Sequence, residues 1–160
     1  MEESRSYAMA TRILYLCTGN SCRSQMAEGW TRHLGSDVFT AESAGIEAHG
    51  KNPRAIAVMA EAGVDISRQE SMVVDAGMLQ RADVVVTVCG HADEMCPALP
   101  IGVRRIHWPL ADPAKATGSE DEIMAAFRAT RDDVEQRVCE LLAGQDPVGN
   151  LQAPDPEMRA

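Results

Sequence analysis

Apolar positions along the chain fall into two kinds of run that alternate. Residues 12–17 (RILYLC) are apolar on both faces, as a strand buried inside a parallel sheet must be. The run stops at Thr18, Gly19 and Asn20, after which Met26, Ala27, Trp30 and Leu34 recur at helical spacing, predicting a helix over 24–34. Residues 38–43 read as a second strand. A glycine-containing loop then leads to Asn52 and Pro53, an N-cap and first-turn pair that opens a helix ending near Gly63. A short helical piece over 75–80 precedes the clearest strand, 83–89, with its run of valines, and 103–108 is the fourth candidate strand. Ser119 and Glu122 form a capping box for a long helix to about residue 142, with Ile123, Ala126, Phe127, Val134, Val138 and Leu141 on its buried face.

Strands alternating with helices imply an α/β fold, a parallel sheet of about four strands with helices on both faces. The 160 residues suit one domain, placed at 12–143, with an N-terminal extension over 1–11 and a proline-containing C-terminal tail over 144–160. In such sheets ligands sit at the carboxyl ends of the strands. Cys17, Cys89 and the loop leading to Asp112 all lie at or just past strand ends, so three chemically interesting positions converge on one rim.

Charge narrows the partners. Lys and Arg number 15 against 24 Asp and Glu, a formal charge of -9, which repels nucleic acid and requires any anionic substrate to be captured locally. No apolar run is long enough to span a bilayer, and residues 1–11 lack a secretory pattern, so a cytoplasmic address without membrane association is expected. In that compartment Cys17, Cys22, Cys89, Cys96 and Cys139 are expected as thiols, with any disulfide transient or catalytic.

The chemistry concentrates in CTGNSCRS, residues 17–24, which joins a buried strand to a helix and aims a row of backbone N–H groups at whatever occupies the loop. Thr18, Gly19, Asn20, Ser21, Cys22, Arg23 and Ser24 thus form an oxyanion nest. Gly19 and Asn20 are the types that tolerate positive φ, and Arg23 adds planar, bidentate donors. The helix terminus and Arg23 favour the thiolate of Cys17, making it the candidate nucleophile. Ser24 is placed both to hydrogen-bond that sulfur and to cap the helix.

Other polar residues have plainer readings. Cys22 suits loop packing, and Cys139 takes a core spacing on the last helix with no function assigned. Asp112 before Pro113 is what many turns contain. Cys89 and Cys96 are spaced too widely for a structural zinc pair, and His33, His49, His91 and His107 show no metal-ligand spacing; His49 and His107 are the ones expected to line the site.

The run CTGNSCRSQMAEGW over 17–30 closely resembles the active-site loop of thioredoxin-coupled arsenate reductases, which share the low-molecular-weight tyrosine phosphatase fold. Further matches are SAGI (43–46), Asn52-Pro53, DIS (65–67), VVVTVC (84–89), Cys96-Pro97, His107-Trp108 and DPA (112–114). Phosphatases of this fold typically carry proline after the loop's Arg-Ser and an aromatic after Asp-Pro; here Gln25 and Ala114 stand there. CGHADEMC (89–96) supplies a thiol pair that a hydrolase does not need and a reductase does.

The resemblance implies a reaction order. Cys17 attacks arsenate with Asp112 as proton donor, Cys89 attacks the adduct to release arsenite, and Cys96 moves the disulfide to Cys89 and Cys96 for thioredoxin to reduce. It also implies no tightly bound cofactor, a monomer, binding of phosphate or sulfate as well as arsenate, and in some members a potassium ion at positions matching Asn20, Glu28 and Ser43. That last match is incomplete, since Met72 follows Ser71 where those members have aspartate. A phosphomonoester hydrolase of the same fold is the alternative, and a non-catalytic oxyanion-binding or thiol-sensing module the rival of another class.

Overall fold

Four consecutive buried residues with no polar face, Val84 to Thr87, can persist only as a strand covered on both sides, and they sit at the heart of a parallel sheet. The computed structural model describes residues 10–35, 37–96 and 98–144. Among them the strands are β1 (Thr11–Cys17), β2 (Phe39–Gly45), β3 (Val84–Thr87) and β4 (Arg104–His107), in the order β2-β1-β3-β4. All neighbours run parallel, with Tyr15 beside Ser43 on one side and Val86 on the other. β4 is the exposed edge and carries Arg104 and Arg105, charges that discourage pairing with another chain.

The helices are α1 (Arg23–Leu34), α2 (Pro53–Glu61), α3 (Ala76–Arg81), α4 (Gly90–Met95) and α5 (Glu120–Gly144), with a single 3-10 turn at Pro113–Lys115. The predicted caps form. Asn52 Oδ1 accepts from the Arg54 N–H at 2.8 Å, and the Ser119 and Glu122 side chains and amides pair reciprocally at 3.1 and 2.8 Å. Right-handed crossovers in this strand order put α1 and α4 on opposite faces of the sheet. The order reverses between β1 and β3, which opens a crevice at the carboxyl end of β1, where Cys17 lies.

One core joins the layers. Tyr15 is fully buried on β1 and shares a 2.6 Å hydrogen bond with the Thr31 hydroxyl of α1; burial raises its phenol well above the ordinary range. Trp30 Nε1 donates to the Arg131 carbonyl at 3.1 Å, fixing α1 on α5. Glu61 of α2 takes Arg128 and Arg131 of α5.

Several expectations need correction. Cys139 is exposed, because it follows Val138 around the helix and the buried line of α5 is Phe127, Val134, Val138 and Leu141; Ile123 and Ala126 are only half-buried. The first strand begins at Thr11, inside the expected extension, and Gly144 closes α5 rather than opening a tail. The remaining extension and tail, 1–9 and 145–160, lie outside the described residues.

Candidate active site

Residues 17–22 hold their shape because their carbonyls are tied outward. Ile46, Glu47, His49 and Asn52 donate their amides to the carbonyls of Cys17, Thr18, Gly19 and Ser21 at 3.1, 2.8, 2.9 and 3.1 Å. Among the described residues the amides of Thr18, Gly19, Asn20, Ser21 and Cys22 have no protein acceptor, as an anion nest requires. Asn20 alone takes the left-handed conformation, at φ 51. Gly19, expected to share that role, does not; a Cβ there would lie 2.2 Å from His49 Nδ1, so close approach is the reason for glycine.

The sulfur of Cys17 is buried and lies 2.8 Å from Ser24 Oγ, which also accepts from Asn20 Nδ2 at 2.8 Å. Because Asn20 Nδ2 donates to a lone pair of Ser24 Oγ, the Ser24 hydroxyl proton is available to the sulfur. Ser24 is therefore not the helix cap; Cys22 takes that position without a side-chain hydrogen bond. Burial pushes the Cys22 thiol up to about 11, so it remains a neutral packing group.

Arg23 is 8% exposed. Its Nη1 donates to the Leu110 carbonyl at 3.0 Å, and Nη2 stands 3.6 Å from Asp112 Oδ2. Its Nε is buried without a partner among the described residues, an orphan donor that a bound oxyanion would satisfy. Asp112 turns the chain as expected, its Oδ1 accepting from the Ala114 amide at 3.0 Å at the start of the 3-10 turn, while Oδ2 faces Arg23.

Cys17, Thr18, Gly19, Ser21, Cys22, Arg23, Cys89 and Asp112 meet in one cleft of about 480 Å³. Among the described residues no Phe, Tyr or Trp ring lines it. His49 is there as expected, whereas His107 turns away, 2.9 Å from the Thr87 hydroxyl, and His91 of α4 takes its place. Lys115 also lines the cleft. Nothing in the sequence marked His91 or Lys115, since each reaches the site only through the seating of a short helical turn.

Cys89 is buried just past β3, 3.2 Å from Thr18 Oγ1 and 3.3 Å from the Ala92 amide that it caps. Cys96 is half-buried at the other end of α4 and does not line the cleft. Burial raises its thiol above the ordinary range. Seven helical positions amount to about 10 Å of rise, beyond the roughly 4.4–6.8 Å between the Cα atoms of a disulfide. The two thiols can therefore join only if α4 unwinds.

Asn20, Glu28 and Ser43 also meet, below the loop. Asn20 Nδ2 donates to Ser43 Oγ at 3.0 Å, and Ser43 Oγ donates to Glu28 Oε1 at 2.6 Å. Burial raises the Glu28 carboxyl, opposed by Ser43 and Arg32. Among the described residues no group of three His, Cys, Asp or Glu is arranged to hold a metal ion, and no helix is long and apolar enough to cross a membrane.

Comparison with known proteins agrees with this architecture. The low molecular weight phosphotyrosine protein phosphatase family matches residues 12–150. An arsenate reductase of Halalkalibacterium halodurans is 54% identical over 126 residues, 79% of this chain and 91% of that protein. One of Bacillus subtilis is 51% identical over 134 residues, 83% of this chain and 96% of that protein. The solved structure of an arsenate reductase in the phosphate binding state superposes with a TM-score of 0.70 at 34% identity, over 84% of this chain and 98% of that one.

Proposed function

The chain belongs to the low molecular weight phosphotyrosine protein phosphatase family, and from that premise we propose that it reduces arsenate to arsenite through a thiol relay of Cys17, Cys89 and Cys96. The observation that carries this reading is a second thiol, Cys89, held by Thr18 in the same cleft as Cys17, where among the described residues no Phe, Tyr or Trp ring forms a platform.

In this reading arsenate lies in the nest of amides 18–22, with two oxygens against the Arg23 guanidinium. The Cys17 sulfur attacks arsenic as Asp112 gives a proton to the departing oxygen, so a sulfur–arsenic bond forms and water leaves. Cys89 then attacks the Cys17 sulfur. The sulfur–arsenic bond breaks, its electron pair stays with arsenic, and arsenite departs, leaving a disulfide between Cys17 and Cys89. Two electrons have passed from two thiols to arsenic. Unwinding of α4 lets Cys96 attack Cys89, which frees Cys17 and carries the disulfide to Cys89 and Cys96, where thioredoxin reduces it.

Hydrolysis of phosphate monoesters is the second reading, favoured by the family's shared loop and by Asp112 beside Arg23. The decisive assay follows NADPH oxidation with arsenate, thioredoxin and thioredoxin reductase. Expected is turnover that needs every component and is lost in Cys17→Ser. Undiminished oxidation by Cys17→Ser would end the nucleophile assignment, and ester hydrolysis without arsenate reduction would favour the second reading.

A further inference from the structure

The residues under the oxyanion loop do not fit the potassium ion that the resemblance implies. Asn20 Oδ1 accepts from the Met72 amide at 2.8 Å, and since a backbone N–H can only donate, this fixes the orientation of the side-chain amide. Asn20 therefore turns its NH2 group, not its oxygen, toward Ser24 and Ser43. The Ser43 proton is given to Glu28 Oε1. Glu28 Oε2 lies 2.7 Å from Arg32 Nη2, and the same guanidinium nitrogen donates to the Ala41 carbonyl at 3.1 Å.

Of the four carboxylates that line the adjoining cleft, Glu28, Glu42, Asp65 and Glu70, all but Glu70 are already engaged within the protein. Glu42 is held by Arg81 at 2.9 Å, Asp65 accepts from the Ser67 amide at 2.8 Å, and Met72 presents a thioether. The Glu28 side chain is 7% exposed, so its charge needs a partner, and the partner present is a guanidinium one turn further along α1.

We propose that Arg32 is the built-in cation of the oxyanion loop, in the role that the resemblance gives to an alkali metal ion. Its guanidinium neutralises Glu28; Glu28 orients Ser43; Ser43 and Ser24 hold the Asn20 amide; and Asn20 keeps its left-handed turn at the centre of the nest. Arg32 is thus a positioning residue whose side chain is 59% exposed yet anchored through Nη2 to Glu28 and the Ala41 carbonyl. Loop competence in this chain is independent of potassium. The inference rests on the loop binding an oxyanion and not on what becomes of that anion afterwards.

The test compares the full chain in potassium chloride and in choline chloride at equal ionic strength. Two quantities are read: the melting temperature, and the protection of Cys17 from iodoacetamide by sulfate, resolved by peptide mass. For the unmodified chain both should agree between the two salts, within about twofold for the sulfate midpoint. In Arg32→Ala the sulfate midpoint in choline should weaken about tenfold, the loss expected when a charged hydrogen bond is removed, and potassium should restore part of it saturably. A saturable potassium requirement in the unmodified chain overturns the proposal, as does an Arg32→Ala protein indistinguishable from it in choline. If Arg32→Ala does not fold, Arg32→Lys keeps the charge and should remain indifferent to potassium; potassium activation of that variant also overturns the proposal. Neither readout involves arsenate reduction, so a failure of the reductase reading leaves these results standing.

Discussion

At the scale of single residues the site is a problem of holding two sulfurs and one anion with few charges. Arg23 is the charge that matters, because it is buried and its Nε has no partner among the described residues. Arg23→Lys keeps the charge but loses the planar fork, and oxyanion binding should weaken by about 2 kcal/mol, roughly 30-fold; sulfate protection of Cys17 from alkylation measures this directly. In the proposed mechanism Asp112→Asn removes the proton donor while its neighbours stay in place. Single-turnover arsenate reduction should slow by about 10²–10⁴-fold with oxyanion binding retained, and an unchanged rate would assign the proton to another group. Cys17 and Arg23 were legible in the sequence because strand, loop and helix surround them locally. The partnership of Thr18 with Cys89 was not, since it joins positions 71 apart. Cys139 was misjudged for a related reason: on a helix one step from the buried line decides burial, and only the packed neighbour shows where that line falls.

Among the elements, α4 carries the most consequence. It is six residues long, capped by Cys89 and ended by Cys96, and Arg105 of β4 ties Asp93 in its middle at 3.0 Å. Because the thiols at its ends are too far apart to bond, oxidation should melt it. Hydrogen exchange of residues 90–95 should be slow in the reduced protein and fast once the Cys89–Cys96 disulfide has formed; equal protection in both states would exclude the relay. The α2–α5 contact makes a pH-dependent prediction. Arg128, foremost, and Arg131 hold the Glu61 carboxyl down at about 2, against an ordinary 4.5. A lowered carboxyl stabilises the fold above its unfolded value and loses that contribution as pH falls from 4.5 toward 2. Glu61→Gln should therefore lower the melting temperature at neutral pH and converge with the unmodified protein in acid. The caps at Asn52 and Ser119 were readable because they are local chemistry. The identity of the α1 cap was not, because Ser24 faces a sulfur brought to it by the fold.

For the molecule as a whole, the sequence indicated a parallel α/β sheet but not its strand order, which depends on pairings between distant segments. The order β2-β1-β3-β4 is what places the loop at the reversal and brings β3, with Cys89 behind it, alongside β1. The net charge of -9 sets the approach of substrate. Screening it should raise kcat/KM for arsenate, by less than about tenfold between low and physiological ionic strength; a fall would mean that the local cations Arg23 and Lys115 govern capture. The most direct test of the two-electron relay is peptide mass mapping after a single arsenate turnover without reductant. Expected is one disulfide, between Cys89 and Cys96, with Cys17 again alkylatable. A product in which all three remain thiols while arsenite has formed, or in which the bond joins Cys17 to Cys22, contradicts the relay.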